Sequence, residues 1–189
     1  MNIKQTQAVI EAILFTMGDS VALERIASAI DHDADTTRKL IHNMMDEYEK
    51  EDRGVHIIEL EDNYQMCTKK NMYEYLIKVT EVPKQHALTD IMLETLSIIA
   101  YKQPVTKAEI EKIRGVQSDG VVNRLVEFGL VEEVGRLKTP GRPVQFGTTE
   151  DFLRRFGIQS LDDLPELEPE QVEAMKEEAE EEVQLRLDI

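Results

Sequence analysis

The sequence has a single cysteine, Cys67, among 189 residues. One thiol excludes an internal disulfide and any metal site built from several thiolates. No apolar run approaches the roughly 20 residues needed to cross a bilayer, and 32% of the chain is charged, so a soluble protein without a membrane span is expected. The opening Met1-Asn2-Ile3-Lys4-Gln5-Thr6-Gln7 lacks the charged-then-apolar layout of a secretory signal. With the lone cysteine, this points to the cytoplasm. None of the nine glycines falls in a Gly-x-x-x-x-Gly-Lys phosphate loop, so nothing offers a cradle of backbone amides to a nucleotide. His32, His42, His56 and His86 lie on separate predicted elements, with no pair one helical turn apart. Asp31-His32-Asp33 resembles a ligand set, but side chains of strict neighbours point apart, and the run reads as a helix-linking loop. Cys67, in a predicted strand with only Lys69 and Lys70 as basic neighbours, reads as a packed thiol rather than a nucleophile. No catalytic residue, cofactor site or metal site is expected.

Positive charge is also scarce. The chain carries 22 basic and 38 acidic residues, a net charge of −16. From Gln159 to Ile189 there are 12 acidic and 2 basic residues, leaving 26 and 20 for the rest. A chain this acidic is repelled by nucleic acid unless a basic patch is concentrated somewhere.

What is present is periodicity. The 41% of hydrophobic residues suffices for one or two cores. Ala8, Ile10, Ala12, Ile13, Phe15 and Met17 form a broad helical stripe that ends at Gly18. A short second helix is predicted over about Ala22 to Ile30, and a third from an Asp35 or Thr36 cap to about Lys50. After Gly54, Val55 to Leu60 and Tyr64 to Thr68 flank Asp62-Asn63, a predicted β-hairpin. The order then recurs. Ile91 to Tyr101 is a helix stopped by Gln103-Pro104. Thr106 caps a second helix that ends at Gly115, and Ser118 or Asp119 opens a third that closes at Gly129. Extended runs Leu130 to Leu137 and Val144 to Thr148 flank Thr139-Pro140-Gly141-Arg142-Pro143. Val21 and Ile26 align with Val105 and Ile110, and Arg38 to Ile41 with Asn123 to Val126.

Three helices and a hairpin, used twice, predict a mainly α chain with small β wings. The expected layout is two tandem winged-helix domains over about 1–80 and 86–158, linked near Glu81-Val82-Pro83-Lys84-Gln85. An acidic extension, 159–189, follows and is expected to be partly disordered. In it, Pro169 starts a thinly amphipathic stretch (Val172, Met175, Ala179, Val183), and Glu177-Glu178 and Glu180-Glu181-Glu182 repel one another.

The second half resembles the segregation and condensation protein B family. Leu93-Glu94-Thr95-Leu96-Ser97-Ile98-Ile99-Ala100-Tyr101-Lys102-Gln103-Pro104-Val105-Thr106 carries the resemblance, with Glu109-Ile110, Ile113-Arg114-Gly115-Val116 and Gly141-Arg142-Pro143. Thr148-Thr149, Phe152-Leu153, Phe156-Gly157 and Leu161-Asp162-Asp163-Leu164-Pro165 extend it, and Ile10 to Phe15 with Gly18 match more loosely. The resemblance implies a homodimer of tandem winged-helix subunits. It also implies binding to a kleisin, segregation and condensation protein A, that bridges the heads of a structural-maintenance-of-chromosomes (SMC) ATPase. It implies no catalytic residues, and association with the nucleoid through that complex.

The rival reading is a winged-helix transcription regulator, which reads DNA through its third helix and wing. Both third helices argue against it. The first carries Arg38 and Lys39 among Asp46, Glu47, Glu49 and Glu51, and the second carries Arg124 beside Asp119 and Glu127. Arg136, Lys138 and Arg142 are the one basic cluster of note, so DNA is expected to bind weakly or through the complex. The dimer is expected through the first helix, by Val9, Ile10, Ile13, Leu14 and Phe15, which cover too wide an arc for one small domain to hide. The partner site is expected on the second half, with Leu130, Val131, Val144 and Phe146 offering strand edges and Phe152, Phe156, Leu161 and Leu164 apolar contacts.

Overall fold

Asn2 starts the first helix. Its side chain accepts from the Gln5 amide at 2.9 Å, while Gln5 Oε1 accepts from the Asn2 amide at 3.1 Å. This reciprocal cap satisfies two donors that a helix otherwise leaves open. The computed structural model describes residues 2–79 and 87–165, and the chain divides into two units between Lys84 and Gln85.

In the first unit, α1 (Ile3–Met17) buries Thr6, Ile10 and Leu14, one residue per turn on a single stripe. β1 (Val21–Ala22), α2 (Leu23–Ala29) and α3 (Ala34–Lys50) follow. The cap of α3 is Asp33, earlier than the expected Asp35 or Thr36. Its carboxylate accepts from the Thr36 amide at 2.8 Å. α3 turns Thr37, Ile41, Met44 and Tyr48 inward. β2 (Val55–Leu60) and β3 (Asn63–Thr68) form the expected hairpin, but the turn is Glu61-Asp62, not Asp62-Asn63. Glu61 takes a φ of 54°, and Asn63 is drawn into the sheet opposite both Leu60 and Ala22. The sheet order is β1-β3-β2. Ile10, Leu14, Leu23, Ile26, Ile41 and Tyr64 meet in one core. Burial, then donation to Glu59 at 2.8 Å, pushes the Tyr64 phenol upward in pKa. Lys69 closes the far end of α3, its Nζ donating to the carbonyls of Tyr48 at 2.7 Å and Glu51 at 3.2 Å. A cation there answers the negative end of the helix dipole. A 3-10 turn (Lys70–Met72) and the four-residue α4 (Tyr73–Leu76) come next. Both are too short to leave a period in the sequence.

In the second unit, α5 (Asp90–Lys102) is capped by Thr89 and stops before a cis Gln103-Pro104 peptide. β4 (Val105–Thr106), α6 (Lys107–Arg114) and α7 (Asp119–Glu127) follow. Then come β5 (Val131–Arg136), β6 (Val144–Thr148), α8 (Glu150–Phe156) and a 3-10 turn (Leu161–Asp163). The sheet order is β4-β6-β5. Helix, short strand, two helices and a hairpin make a winged helix, so the chain holds two. The internal echo in the sequence is structural. Val21 and Val105 open the two short strands opposite Tyr64 and Phe146, and Ile26 and Ile110 are fully buried in the second helices.

Two expectations are corrected. β6 is the central strand, paired with β4 at Phe146 and Gln145 and with β5 along its length, so Phe146 offers no free edge. The outer strands are the two-residue β4 and β5, and a bulge between Glu133 and Gly135 breaks the register of β5. Residues 159–165, expected to begin the extension, are held on the second unit. Ser160 and Asp163 cap each other across the last turn, and the Tyr101 hydroxyl donates to the Pro165 carbonyl at 2.7 Å. The tail expected to be disordered, from Glu166 onward, lies outside the described residues.

Arg114 ties the helices of the second unit together. Its residue exposure is 5%. Nη2 donates to Glu94 on α5 at 2.9 Å and Nη1 to Ser118, just before α7, at 3.0 Å. Removing one member of a fully buried ion pair costs roughly 3–5 kcal/mol, whereas an apolar pair of similar volume is often neutral; Glu94 keeps 26% of its side chain exposed, which puts this pair at the low end. Arg114→Ala is therefore expected to lower the stability of the second unit by about 3 kcal/mol in urea unfolding, and Arg114→Met with Glu94→Met to recover most of it. Equal loss in the single and double variants means that packing, not charge, holds the site.

Thr106 caps α6 in a second reciprocal box. Its amide and hydroxyl donate to Glu109 Oε2 at 2.8 and 2.7 Å. Those bonds hold the Glu109 carboxyl below its ordinary value of 4.5. A lowered folded pKa stabilises above the unfolded value and is lost as the pH falls below it. Thr106→Ala should cost about 1 kcal/mol near pH 7. The gap between variant and parent should narrow as the pH drops below 4.5, read by urea titrations along a pH series.

Candidate functional site

The start of α6, the outer face of α7 and the hairpin of the second unit enclose an open groove of about 720 Å³. Its apolar lining is Ala108 from α6, Val126 from α7, Pro143 before β6, and Val144 and Phe146 from β6. Ile110, Val122 and Leu125 turn inward from the same two helices and are fully buried. The faces left over therefore look into the groove. Val126 remains exposed there, an aliphatic side chain that its own core does not use.

Charge in the groove is mostly negative: Glu111, Asp119, Glu127 and Glu133 against Lys107. Lys107 is already engaged. Its Nζ lies 2.9 Å from Asp119 and 2.9 Å from Asn123 Oδ1, and 5.7 Å from the centre of the Phe146 ring. Glu111 accepts from the Ser118 amide at 3.0 Å. The carboxylates of Glu127 and Glu133 have no hydrogen-bond or ion-pair partner among the described residues. An apolar surface bordered by two unanswered carboxylates suits an apolar segment flanked by Lys or Arg.

Residues 8–167 match the family model described as "Segregation and condensation complex subunit ScpB". The chain belongs to the ScpB family. It is 66% identical over its whole length, and the whole of the relative's, to a Segregation and condensation protein B of Lachnoclostridium phytofermentans. Among solved structures it is similar to ScpB from Mycobacterium tuberculosis, at 32% identity over 84% of this chain and 98% of that one, with a TM-score of 0.41. A dimer of an ScpB N-terminal domain complexed with ScpA peptide matches at 29% identity over 41% of this chain and 98% of that one, with a TM-score of 0.40.

The residues that carry the ScpB resemblance mainly build the frame. Ile99 and Ala100 are core. Gln103 Oε1 accepts from the Thr148 amide at 2.8 Å. Gly115 and Gly157 end α6 and α8 in left-handed conformations. Thr149, the cap of α8, donates its hydroxyl to the Gly129 carbonyl at 2.5 Å. The groove lies mostly outside those motifs. Its signal in the sequence is slight: Val126, an aliphatic residue beside the core residue Leu125.

Of the eight residues expected at the partner site, the structure brings Val144 and Phe146 to the groove wall, Val144 half-buried and Phe146 itself core at 4% exposure. Leu130, Val131 and Phe152 are buried in the second unit, so their side chains are taken by its own core. Phe156 is 45% exposed and packs on Phe152 with ring centres 4.8 Å apart. Leu161 and Leu164 are half-buried on the last turn. None of these three lines the groove. In the first unit, Ile10 and Leu14 are fully buried and Val9 and Ile13 are half-buried against the same core. Phe15, at 78% exposure, stands free of it. The wide apolar arc of α1 is thus divided between a core stripe and a few outward residues.

The third helices have little positive charge to spare. Arg38 lies 3.0 Å from Asp62 and 3.8 Å from Glu59 in its own hairpin, and the bond to Asp62 raises its pKa further. Arg124 sits 5.7 Å over the Phe128 ring.

Burial separates the two aromatic residues of α8. Phe152→Ala, which empties a core site, should cost about 3 kcal/mol or more of stability. Phe156→Ala should cost under about 1.5 kcal/mol, because the ring is half in water already. Chemical denaturation of both variants checks the order, and equal costs contradict it.

Proposed function

We propose that this chain is a non-catalytic adaptor of a bacterial chromosome-condensation complex, working in the cytoplasm and meeting the nucleoid through that complex. Its second unit seats an apolar, base-flanked segment of the kleisin, segregation and condensation protein A, in the groove between α6, α7 and the hairpin. Through the kleisin it supports the SMC ATPase that compacts and separates chromosomes. Its first unit pairs two copies through the outward residues of α1, with Phe15 at the centre.

The observation that carries the partner site is the exposed Ala108 and Val126 set beside unanswered carboxylates in one groove. The outer edge of β5 is the weaker dock. The bulge at Val134 interrupts the backbone ladder an added strand needs, and the exposed Glu132 and Glu133 guard it as edge charges do. A helix laid in the groove escapes both obstacles.

The test is kleisin affinity, by calorimetry, of the full chain and its groove variants. Interface energy concentrates in a few central contacts. Val126→Glu, which puts a charge among apolar neighbours, is expected to cost about 2 kcal/mol or more of binding, roughly 30-fold. Glu127→Lys with Glu133→Lys should weaken binding by repulsion. All three changes sit at exposed positions, so thermal unfolding should hardly move. Unaltered affinity contradicts the placement. Light scattering on full-length Phe15→Glu checks the pairing: a monomer is expected, and an undiminished dimer puts the interface elsewhere.

A further inference from the structure

The hairpin that closes the groove ends in a tip of opposite charge. Between Arg136 and Arg142 the sequence holds three cations, Arg136, Lys138 and Arg142, and no carboxylate. All three are exposed, and none lies within 4.0 Å of a carboxylate among the described residues. Elsewhere in the unit Lys107, Arg114 and Arg154 are each paired, and the exposed Lys102, Lys112 and Arg124 stand singly on three different helices. On a chain of net charge −16, leaving three neighbouring cations unpaired concentrates positive potential at one point.

The tip is also built to hold its shape. The Arg142 amide donates to the Thr139 carbonyl at 2.9 Å, and the Leu137 amide to the Pro143 carbonyl at 3.0 Å. Gly141 and Arg142 take φ values of 84° and 41°, with Pro140 and Pro143 on either side. Arg136 Nη1 reaches back to the Arg142 carbonyl at 3.4 Å. A turn already held in shape leaves only its side chains to be ordered on meeting a fixed array of anions.

We infer that the hairpin tip of the second unit is a sequence-independent contact for the phosphate backbone of duplex DNA, made by Arg136, Lys138 and Arg142. Phosphate fits better than an acidic protein surface. Between Arg136 and Pro143 no large apolar side chain is exposed to anchor a protein interface, whereas Arg and Lys on a protruding turn are what phosphate contacts require. Base reading is excluded by the neighbouring helix, where Asp119 and Glu127 face the groove. The choice of duplex DNA as the polyanion rests on the adaptor reading above. The contact itself needs no kleisin, so the two fail separately.

The experiment titrates full-length chain into a fluorescent 40-base-pair duplex, without kleisin, over a salt series. Three contacts predict a log–log salt slope of about −2.7, which is about 40-fold weaker binding between roughly 50 and 200 mM salt. Binding should be detectable only at the low end, because the chain's net charge opposes it. The variant Arg136→Ala, Lys138→Ala, Arg142→Gly removes the charges and leaves glycine where φ is positive. It should lose the low-salt binding and most of the slope while its thermal unfolding stays put. Arg136→Lys with Arg142→Lys should keep both. No binding at low salt, or equal binding by the charge-removed variant, overturns the inference. So does a strong preference between two unrelated duplex sequences.

Discussion

Val105 and Thr106 pair with Phe146 and Gln145, and in those two residues the chain enters the core, joins the sheet and begins a helix. Val105 is buried, and Thr106 is both a strand residue and the cap of α6. Gln103 extends the same seam, its side chain taking the Thr148 amide where a longer β4 would have done so. Gly147 is required beside it. A Cβ there would stand 2.7 Å from Gln103 Oε1 and 2.9 Å from Val134 Cγ1, closer than side chains pack. Because this seam fixes the hairpin against α6, it also fixes the width of the groove between them. The first unit repeats the device: Val21 and Ala22 pair with Tyr64 and Asn63, and the Leu23 amide donates to the Asp62 carbonyl at 2.9 Å.

From that seam the chemistry divides by position. Inside, Arg114 spends its charge holding α5 and the start of α7. On the groove, carboxylates outnumber cations, which favours a basic partner and disfavours the bases of DNA. At the hairpin tip the sign reverses. No cation of the tip lies within 4.0 Å of a groove carboxylate among the described residues.

Much of the fold could be read from the chain because helical period, caps and breakers agreed. Thr106, Gly115 and Gly18 sit where the sequence put them, and the two halves echo at Val21 and Val105. The misses have physical reasons. A two-residue strand such as β4 leaves no alternation to detect. The turn at Glu61-Asp62 was displaced because Asn63, a good turn former, is claimed by two neighbouring strands at once. The site was less legible. Large apolar residues following the hairpin suggested a docking surface, yet Phe152 is core, as its neighbour Leu153 is. The groove depends instead on which face of α7 the core leaves over, and that is decided by tertiary packing. Family resemblance did not help here, since its residues chiefly hold the frame.

The most direct test of the account is hydrogen exchange on the full chain, alone and saturated with kleisin. A partner seated in the groove must slow exchange in α6 and α7 and in the hairpin that faces them, while α8 and the last turn change little. Protection confined to α8, the 161–164 turn or the outer edge of β5, with α6 and α7 unaltered, would contradict it.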